Sequence, residues 1–167
     1  MIDTERTSTD ETPISFDDGT GATLRQLMDD QAAAMRARNA DYLASRYAAD
    51  AVAYDLAPPL QHGGDGSLRD VEPRRAWFAT FDGPIDYEIR DLTVIGSNEF
   101  AVCRSLNRLS ATPKGMTVRF DLWFRSTVCW RRSNDADQTS GWEIVHEHTS
   151  TPFYMDGSFR SAVDLTP

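Results

Sequence analysis

The sequence predicts an α+β domain in which three N-terminal helices cover a cone-shaped, curved antiparallel sheet that encloses a pocket. Two observations support this prediction. Apolar residues recur at helical spacing near the N-terminus, whereas from Ile85 onward they alternate with polar residues in successive long runs. The first of these runs changes parity before Leu92, as a β-bulge would cause. Long bulged strands curl, so we expect a concave sheet.

The first helix is predicted to begin at Thr23, because Thr23 and Gln26 have the spacing of a capping box. Apolar side chains then recur along one helical face, and a single amide interrupts them. The predicted face comprises Leu24, Leu27, Met28, Gln31 and Met35.

Two shorter helices are expected to follow. Asn39 is predicted to close the first helix, and Asp41 to cap a second one that carries Leu43 and Tyr47. A third helix is predicted from about Asp70, with Pro73 in its first turn. Its apolar members are Val71, Trp77, Phe78 and Phe81.

The strands are predicted from period-two runs and turn residues. A brief run at 51–55 precedes a loop rich in proline and glycine. Longer strands are expected at 85–94, 100–108, 116–131 and 142–150.

The charge distribution divides the chain into three parts. Residues 1–20 carry six acidic residues and one basic residue, whereas the other 20 acidic and 16 basic residues give a net −4. We therefore predict a flexible acidic tail over 1–20, one domain over 21–155 and a C-terminal extension over 156–167. The acidic balance argues against a nucleic-acid partner. The chain has no apolar run of about 18 residues and no apolar signal core, so we expect no membrane association and a cytoplasmic location.

Two segments carry a family resemblance. The run DAVAYD at 50–55, with Pro58-Pro59 and His62-Gly63 after it, resembles the first strand and loop of ketosteroid isomerase and polyketide-cyclase-like (SnoaL-like) proteins. The run GWEIVHEHTS at 141–150 resembles the last strand of isomerase homologues and of the association domain of calcium/calmodulin-dependent protein kinase II. The likeness covers roughly residues 23–153 and implies the nuclear-transport-factor-2-like superfamily. Because this fold hosts enzymes, binding modules and assembly domains, it does not define an activity.

The resemblance places Asp55 where ketosteroid isomerases keep the carboxylate that moves a proton between carbons. The alternative is an Asp that caps the loop into Pro58-Pro59. Gln31 and Trp123 stand nearest the positions of the isomerases' tyrosine and protonated acid. Neither offers a comparably acidic proton, so the resemblance does not extend to steroid isomerisation.

The strand at 116–131 has two contrasting faces. Its even positions are nearly all apolar, and its odd positions are polar around Trp123. The pattern alone turns the even face inward. Registering the strand on the isomerase relatives instead turns Asp121, Trp123 and Arg125 toward the pocket and the even face toward a second subunit, and we favour this orientation. An inward Arg125 must then pair with Asp121, with Glu147 or with a ligand carboxylate.

The remaining candidates lie on several elements. Gln31 either binds a ligand carbonyl or bonds a strand across the core. The expected ligand-binding set is Gln31, Tyr54, Trp77, Asp121, Trp123, Arg125, Glu147 and His148, with Asp55 as the candidate catalytic residue.

Histidines and cysteines do not form a metal motif in the sequence. His146 and His148 share one face of the last strand, but no third ligand is suitably spaced, which favours an interface or a hydrogen bond within the sheet. Cys103 and Cys129 fit reduced buried thiols better than a disulfide. We expect no metal and no cofactor.

Two functions therefore remain open. The first is a pocket protein for a small, largely apolar carbonyl or carboxylate compound, with isomerase, dehydratase or cyclase chemistry by proton transfer. The second is a non-catalytic binding or dimeric assembly module. In both, we expect a homodimer formed through the sheet.

Overall fold

The computed structural model describes residues 19–134 and 140–167. Its helices are α1 (Thr20–Ala37), α2 (Ala40–Ser45) and α3 (Glu72–Phe78), and a 3-10 turn spans Ser67–Arg69. Its strands are β1 (Tyr47–Tyr54), β2 (His62–Gly63), β3 (Phe81–Gly96), β4 (Phe100–Pro113), β5 (Phe120–Arg132) and β6 (Trp142–Ser150). The mixed α+β class and the element order agree with the prediction.

The six strands form one curved, unclosed sheet in the order β2-β1-β6-β5-β4-β3. Strands β3 to β6 form an antiparallel meander, as expected. One pair departs from the expected antiparallel pattern, because β1 runs parallel to β6. The long connection from β1 through α3 returns the chain to the far edge of the sheet, which leaves β6 free to pair with β1.

The predicted helix caps are wrong in detail. Helix α1 begins at Thr20, so Thr23 lies within it and its hydroxyl donates to the Gly19 carbonyl over 3.0 Å. Gln26 donates to Asp30 rather than to a free backbone group. The side chain of Asn39 caps α2 by accepting from the backbone N–H of Tyr42, and this leaves Asp41 in the first turn.

The bulge expected before Leu92 is confirmed. The pairing of β3 with β4 shifts between Arg90 and Thr93, and Asp91 adopts a positive φ of 56°. One extra residue there brings Ile89 and Leu92 to the same core.

Two apolar clusters hold the helices on the concave face of the sheet. One is built around the fully buried Trp130 and Trp142, with Leu24 and Met28 of α1. The other contains Phe78 of α3 and Phe124 of β5. Residues of both clusters line one cavity, so the cavity lies between them.

The structure describes the two ends of the chain in part. The predicted tail over 1–20 falls mostly on residues 1–18, which lie outside the described residues, whereas Thr20 is buried at the start of α1. Beyond β6 the chain folds back: Phe153 pairs with Ser161, and Ala162 is buried. None of the helices within 19–134 and 140–167 is both long and apolar enough to cross a membrane.

Candidate functional site

A cavity of about 660 Å³ opens between the helices and the concave face of the sheet. Its wall is mostly apolar and aromatic, and its polar side chains come from α1, α3, the segment between β1 and α3, and the sheet. The residues that line it include Gln31, Tyr47, Asp55, His62, Arg74, Trp77, Tyr87, Asn107, Ser126 and Glu147.

The orientation of β5 is the reverse of the one we favoured. Phe120, Leu122, Phe124, Ser126 and Val128 line the cavity, so the even positions face inward. Burial of these apolar side chains removes far more apolar surface from water than burial of the odd positions would. The hydrophobic pattern by itself gives the observed orientation.

Asp121, Trp123 and Arg125 therefore lie outside the cavity. Asp121 accepts from Arg108 Nε over 2.7 Å, and the guanidinium of Arg90 lies 4.6 Å from the ring centre of Trp123. Arg125 is exposed in a shallow groove of the outer face of the sheet. The expectation that Arg125 pairs inside the cone with Asp121 or Glu147 is wrong, because Glu147 faces the opposite side.

The other predicted residues border the cavity, with one exception. Gln31, Asp55, Trp77 and Glu147 line it. Tyr54 lies at its edge, but its ring packs edge-on against His146 and His148, with centroids 4.9 and 5.7 Å apart. His148 lies on the outer side with Thr127, its partner on β5.

The two histidines make contacts with the neighbouring strand β1. His146 Nδ1 lies 2.8 Å from the Val52 carbonyl of the neighbouring strand β1. No group of three or more potential ligating residues is gathered in a metal-binding arrangement within the described ranges. Both cysteines are free thiols, and burial raises the pKa of Cys103 to about 12.

The central polar feature of the cavity is a contact between Tyr47 and Glu147. The Tyr47 hydroxyl donates a hydrogen bond to Glu147 Oε2. Tyr47 begins β1, and Glu147 lies in β6, where the parallel pairing aligns Ala53 with Glu147. The pair forms only because these two strands are neighbours.

Burial controls the protonation of this pair. Loss of solvent raises the pKa of the Glu147 carboxyl, although the Tyr47 hydroxyl and the Arg74 cation partly oppose the shift. Burial, together with the charge of Glu147, also raises the pKa of Tyr47. Tyr47 therefore remains a neutral donor beside a carboxyl group that binds a proton more readily than an exposed one.

Arg74 approaches the same pair from α3. Its guanidinium lies 4.7 Å from the centre of the Tyr47 ring, and its Nη2 donates to the Leu68 carbonyl over 3.3 Å. The neighbouring Arg75 points outward to Asp41 and Glu72. These two consecutive arginines therefore point to different sides of α3, Arg74 toward the cavity and Arg75 toward solvent.

His62 reaches the cavity because β2 lies very close to β1. Gly63 has a φ of +84°, and a Cβ at this position would overlap the Ala51 carbonyl oxygen. The pairing places His62 beside Ala53, which in turn lies beside Glu147. These three residues form one row across the sheet.

A second cluster of polar side chains lies in the cavity wall, on β4 and β3. Ser105 donates to Asn107 Oδ1 over 2.7 Å, and Asn107 Nδ2 donates to the Tyr87 hydroxyl over 2.8 Å. Because Tyr87 accepts from Asn107, its own proton remains available to an acceptor. Burial raises the pKa of Tyr87, so this hydroxyl stays protonated at neutral pH.

With the fold and this cavity defined, comparison with known proteins gives the family. The family model for the SnoaL-like domain matches residues 24–154, most of the chain. The chain belongs to the SnoaL-like family. The resemblance drawn from the two sequence segments is thereby confirmed at the level of family and fold.

Solved structures support the same fold for this SnoaL-like domain. An NTF2-like protein of unknown function from Pseudomonas putida KT2440 is 28% identical with a TM-score of 0.76, over 92% of this chain and all of that one. A protein provisionally named scytalone dehydratase from Novosphingobium aromaticivorans is 13% identical with a TM-score of 0.67, over 84% and 89%. The CaMKII hub of S. rosetta is 16% identical with a TM-score of 0.58, over 77% and 94%. Among curated proteins, none matches this sequence.

Several polar residues of the SnoaL-like cavity are not among the predicted site residues. Asn107 and Ser126 interrupt inward apolar stripes of β4 and β5, which is the signal that singled out Gln31. Applied to every strand, the same criterion would have found them. Tyr47 was assigned to a helix, and neither Arg74 nor His62 has a local pattern that marks it.

Proposed function

We propose that this SnoaL-like domain binds a small, largely apolar molecule bearing a carbonyl or carboxylate, and that Glu147 transfers a proton on it. The buried contact between Tyr47 and Glu147 carries this proposal. A cavity of about 660 Å³ is within the range of roughly 300–1,000 Å³ that is usual for small-molecule sites. Its apolar walls suit a hydrocarbon body, and its polar side chains suit one functional group.

Glu147 is better suited to proton transfer than Asp55. A general acid or base works best when its pKa lies near the working pH, and burial shifts the pKa of Glu147 in that direction. The Asp55 carboxylate is exposed, and its Oδ1 accepts from the Leu56 backbone N–H over 2.6 Å and from Thr149 over 3.2 Å. These contacts support the loop-capping role of Asp55.

The reaction class that follows is isomerisation, dehydration or cyclisation through an enol. The ionised carboxylate of Glu147 takes a proton from the carbon next to the ligand carbonyl, and the C–H electron pair moves to form the enolate. The Tyr87 hydroxyl, held by Asn107, donates a hydrogen bond to the enolate oxygen. Glu147 then returns the proton to another carbon or to a leaving hydroxyl group.

Deuterium exchange tests this proposal without knowledge of the natural substrate. Wild-type protein should accelerate exchange of the α-protons of 2-tetralone in D₂O above the buffer rate, as followed by proton NMR. Glu147→Gln should reduce that acceleration by about 100-fold or more, because the proton acceptor is removed. Glu143→Gln is the matched control, since Glu143 lies on the same strand but pairs with Arg131 outside the cavity. Undiminished exchange in Glu147→Gln would contradict the role of Glu147.

The second candidate function is a non-catalytic binding or dimeric assembly module. It is favoured by the outer face of the sheet, where Ile95 and Phe100 are nearly half exposed and Leu106 lies between Arg90 and Arg125. The homodimer expected through the sheet would therefore use the odd face of β5 rather than its even face. The presence of a CaMKII hub among proteins with this fold supports this alternative.

A further inference from the structure

Three residues that line the cavity each have a buried polar atom without a hydrogen-bond partner. These atoms are His62 Nε2, Arg74 Nε and Ser126 Oγ, and the statement holds for the described part of the chain. Buried polar groups are nearly always paired, because leaving one unpaired forfeits its hydration without compensation. Because all three residues border one cavity, a ligand bound there, with small rotations of these side chains, is the group best placed to supply the missing partners.

The guanidinium of Arg74 is the most informative of the three. Within residues 19–134 and 140–167, Arg74 forms no ion pair, although several carboxylates are near the cavity. Glu147 is engaged by Tyr47, Asp55 by Leu56 and Thr149, and Asp70 by the backbone of Glu72. A guanidinium is always charged, and its planar set of donors matches a carboxylate better than a neutral carbonyl.

The cavity beside Arg74 has room for a carboxylate. His62 and Glu147 flank Ala53 in one row of the sheet, about 10 Å apart at Cα by ordinary strand spacing. The small Ala53 side chain leaves room above the sheet between the longer side chains of His62 and Glu147. Arg74 borders the same region through its contact with the Tyr47 ring.

We propose that Arg74, assisted by His62, binds a carboxylate of the ligand, so that the cavity prefers largely apolar carboxylic acids to neutral compounds of the same shape. This inference rests on the proposed function, since it names the substrate class of the same cavity. Arg74 holds the carboxylate, the apolar walls hold the hydrocarbon body, and Glu147 remains next to the bound anion.

Calorimetric titration with a matched pair of probes tests the proposal. 2-Naphthoate and 2-naphthamide share one aromatic body and differ in charge. Wild-type protein should bind 2-naphthoate at least about 10-fold more tightly than 2-naphthamide. Arg74→Met should weaken binding of 2-naphthoate by about 10-fold or more while changing that of 2-naphthamide by less than about 3-fold. Arg75→Met, which removes the adjacent outward-facing arginine, should leave both affinities unchanged.

The outcomes separate the two proposals. Retained binding of 2-naphthamide shows that the Arg74→Met cavity is intact, and Arg74→Lys provides a second variant that should keep part of the preference for 2-naphthoate. Equal affinity of wild type for both probes, or unchanged 2-naphthoate binding in Arg74→Met, overturns the carboxylate site but leaves proton transfer standing if 2-tetralone still exchanges. Failure of both probes to bind, together with absent exchange, overturns the proposed function as well.

Discussion

At the level of single residues, Glu147 combines a costly environment with a specific partner. Desolvation raises its pKa, and the hydrogen bond from Tyr47 offsets part of that effect. A carboxyl group in such surroundings contributes little to stability when it is ionised. Its presence at the cavity wall, rather than an apolar side chain of similar size, is more readily explained by chemistry than by folding.

The raised pKa of Glu147 predicts a particular pH dependence of stability. The folded protein binds the proton more tightly than the unfolded chain, whose Glu pKa is about 4.3. The resulting stabilisation is complete below that unfolded value and is lost as the pH rises through the folded pKa of Glu147. Glu147→Gln has no such titration. Between the unfolded and folded pKa values, its free energy of unfolding should therefore rise relative to that of wild type as the pH increases. Above the folded pKa, the difference between the two proteins should stay constant.

Urea denaturation of both proteins between pH 4 and pH 8 measures the difference, with Glu143→Gln as the control on the same strand. A constant difference between Glu147→Gln and wild type at every pH would show that the pKa of Glu147 is not raised by folding.

At the level of elements, Asn39 sets the start of α2, the short helix that ends just before Tyr47. Its side chain accepts from the Tyr42 backbone N–H over 3.0 Å. Asn39→Ala should lower the free energy of unfolding by about 1 kcal/mol, because an N-terminal N–H group of α2 loses its partner. Chemical denaturation measures this loss.

Thr23→Ala is the informative comparison for Asn39→Ala. Thr23 lies inside α1, where alanine favours the helix, so this substitution should change stability by less than about 0.5 kcal/mol. A larger loss for Thr23→Ala than for Asn39→Ala would restore the capping box that the sequence suggested.

At the level of the whole molecule, the outer face of the sheet is expected to form a homodimer. Leu106 lies near the middle of this face, between Arg90 on β3 and Arg125 on β5. Leu106→Asp should place a charge in the interface and convert a micromolar dimer into a monomer. Analytical ultracentrifugation distinguishes the two states.

Leu60→Asp is the matched control, because Leu60 is 96% exposed in the loop between β1 and β2, away from the sheet face. This variant should sediment like the wild type. A wild-type protein that is monomeric at micromolar concentration would rule out the dimer, and equal dissociation of both variants would locate the interface elsewhere.

The sequence by itself determined the α+β class and the order of the elements, and its apolar pattern marked the buried face of β5. These features follow from local periodicity: the bulge before Leu92 appears as a change of parity, and the apolar even positions of β5 indicate its buried face. The orientation of Arg125 was predicted wrongly only because the registration on relatives was preferred to this pattern. Gln31 was identified for the same local reason, as a polar break in an apolar stripe.

Only the tertiary structure decided which polar groups meet. Tyr47 and Glu147 are 100 residues apart, and they touch because β1 runs parallel to β6. Arg74 joins them because its side chain reaches from α3 over the Tyr47 ring. The pairing of distant strands depends on the path of the long connection and on the packing of the helices, and the period of a single segment contains no information about either. The sequence pattern therefore could not predict which polar residues meet in the candidate site, although it predicted most of the helices and strands that carry them.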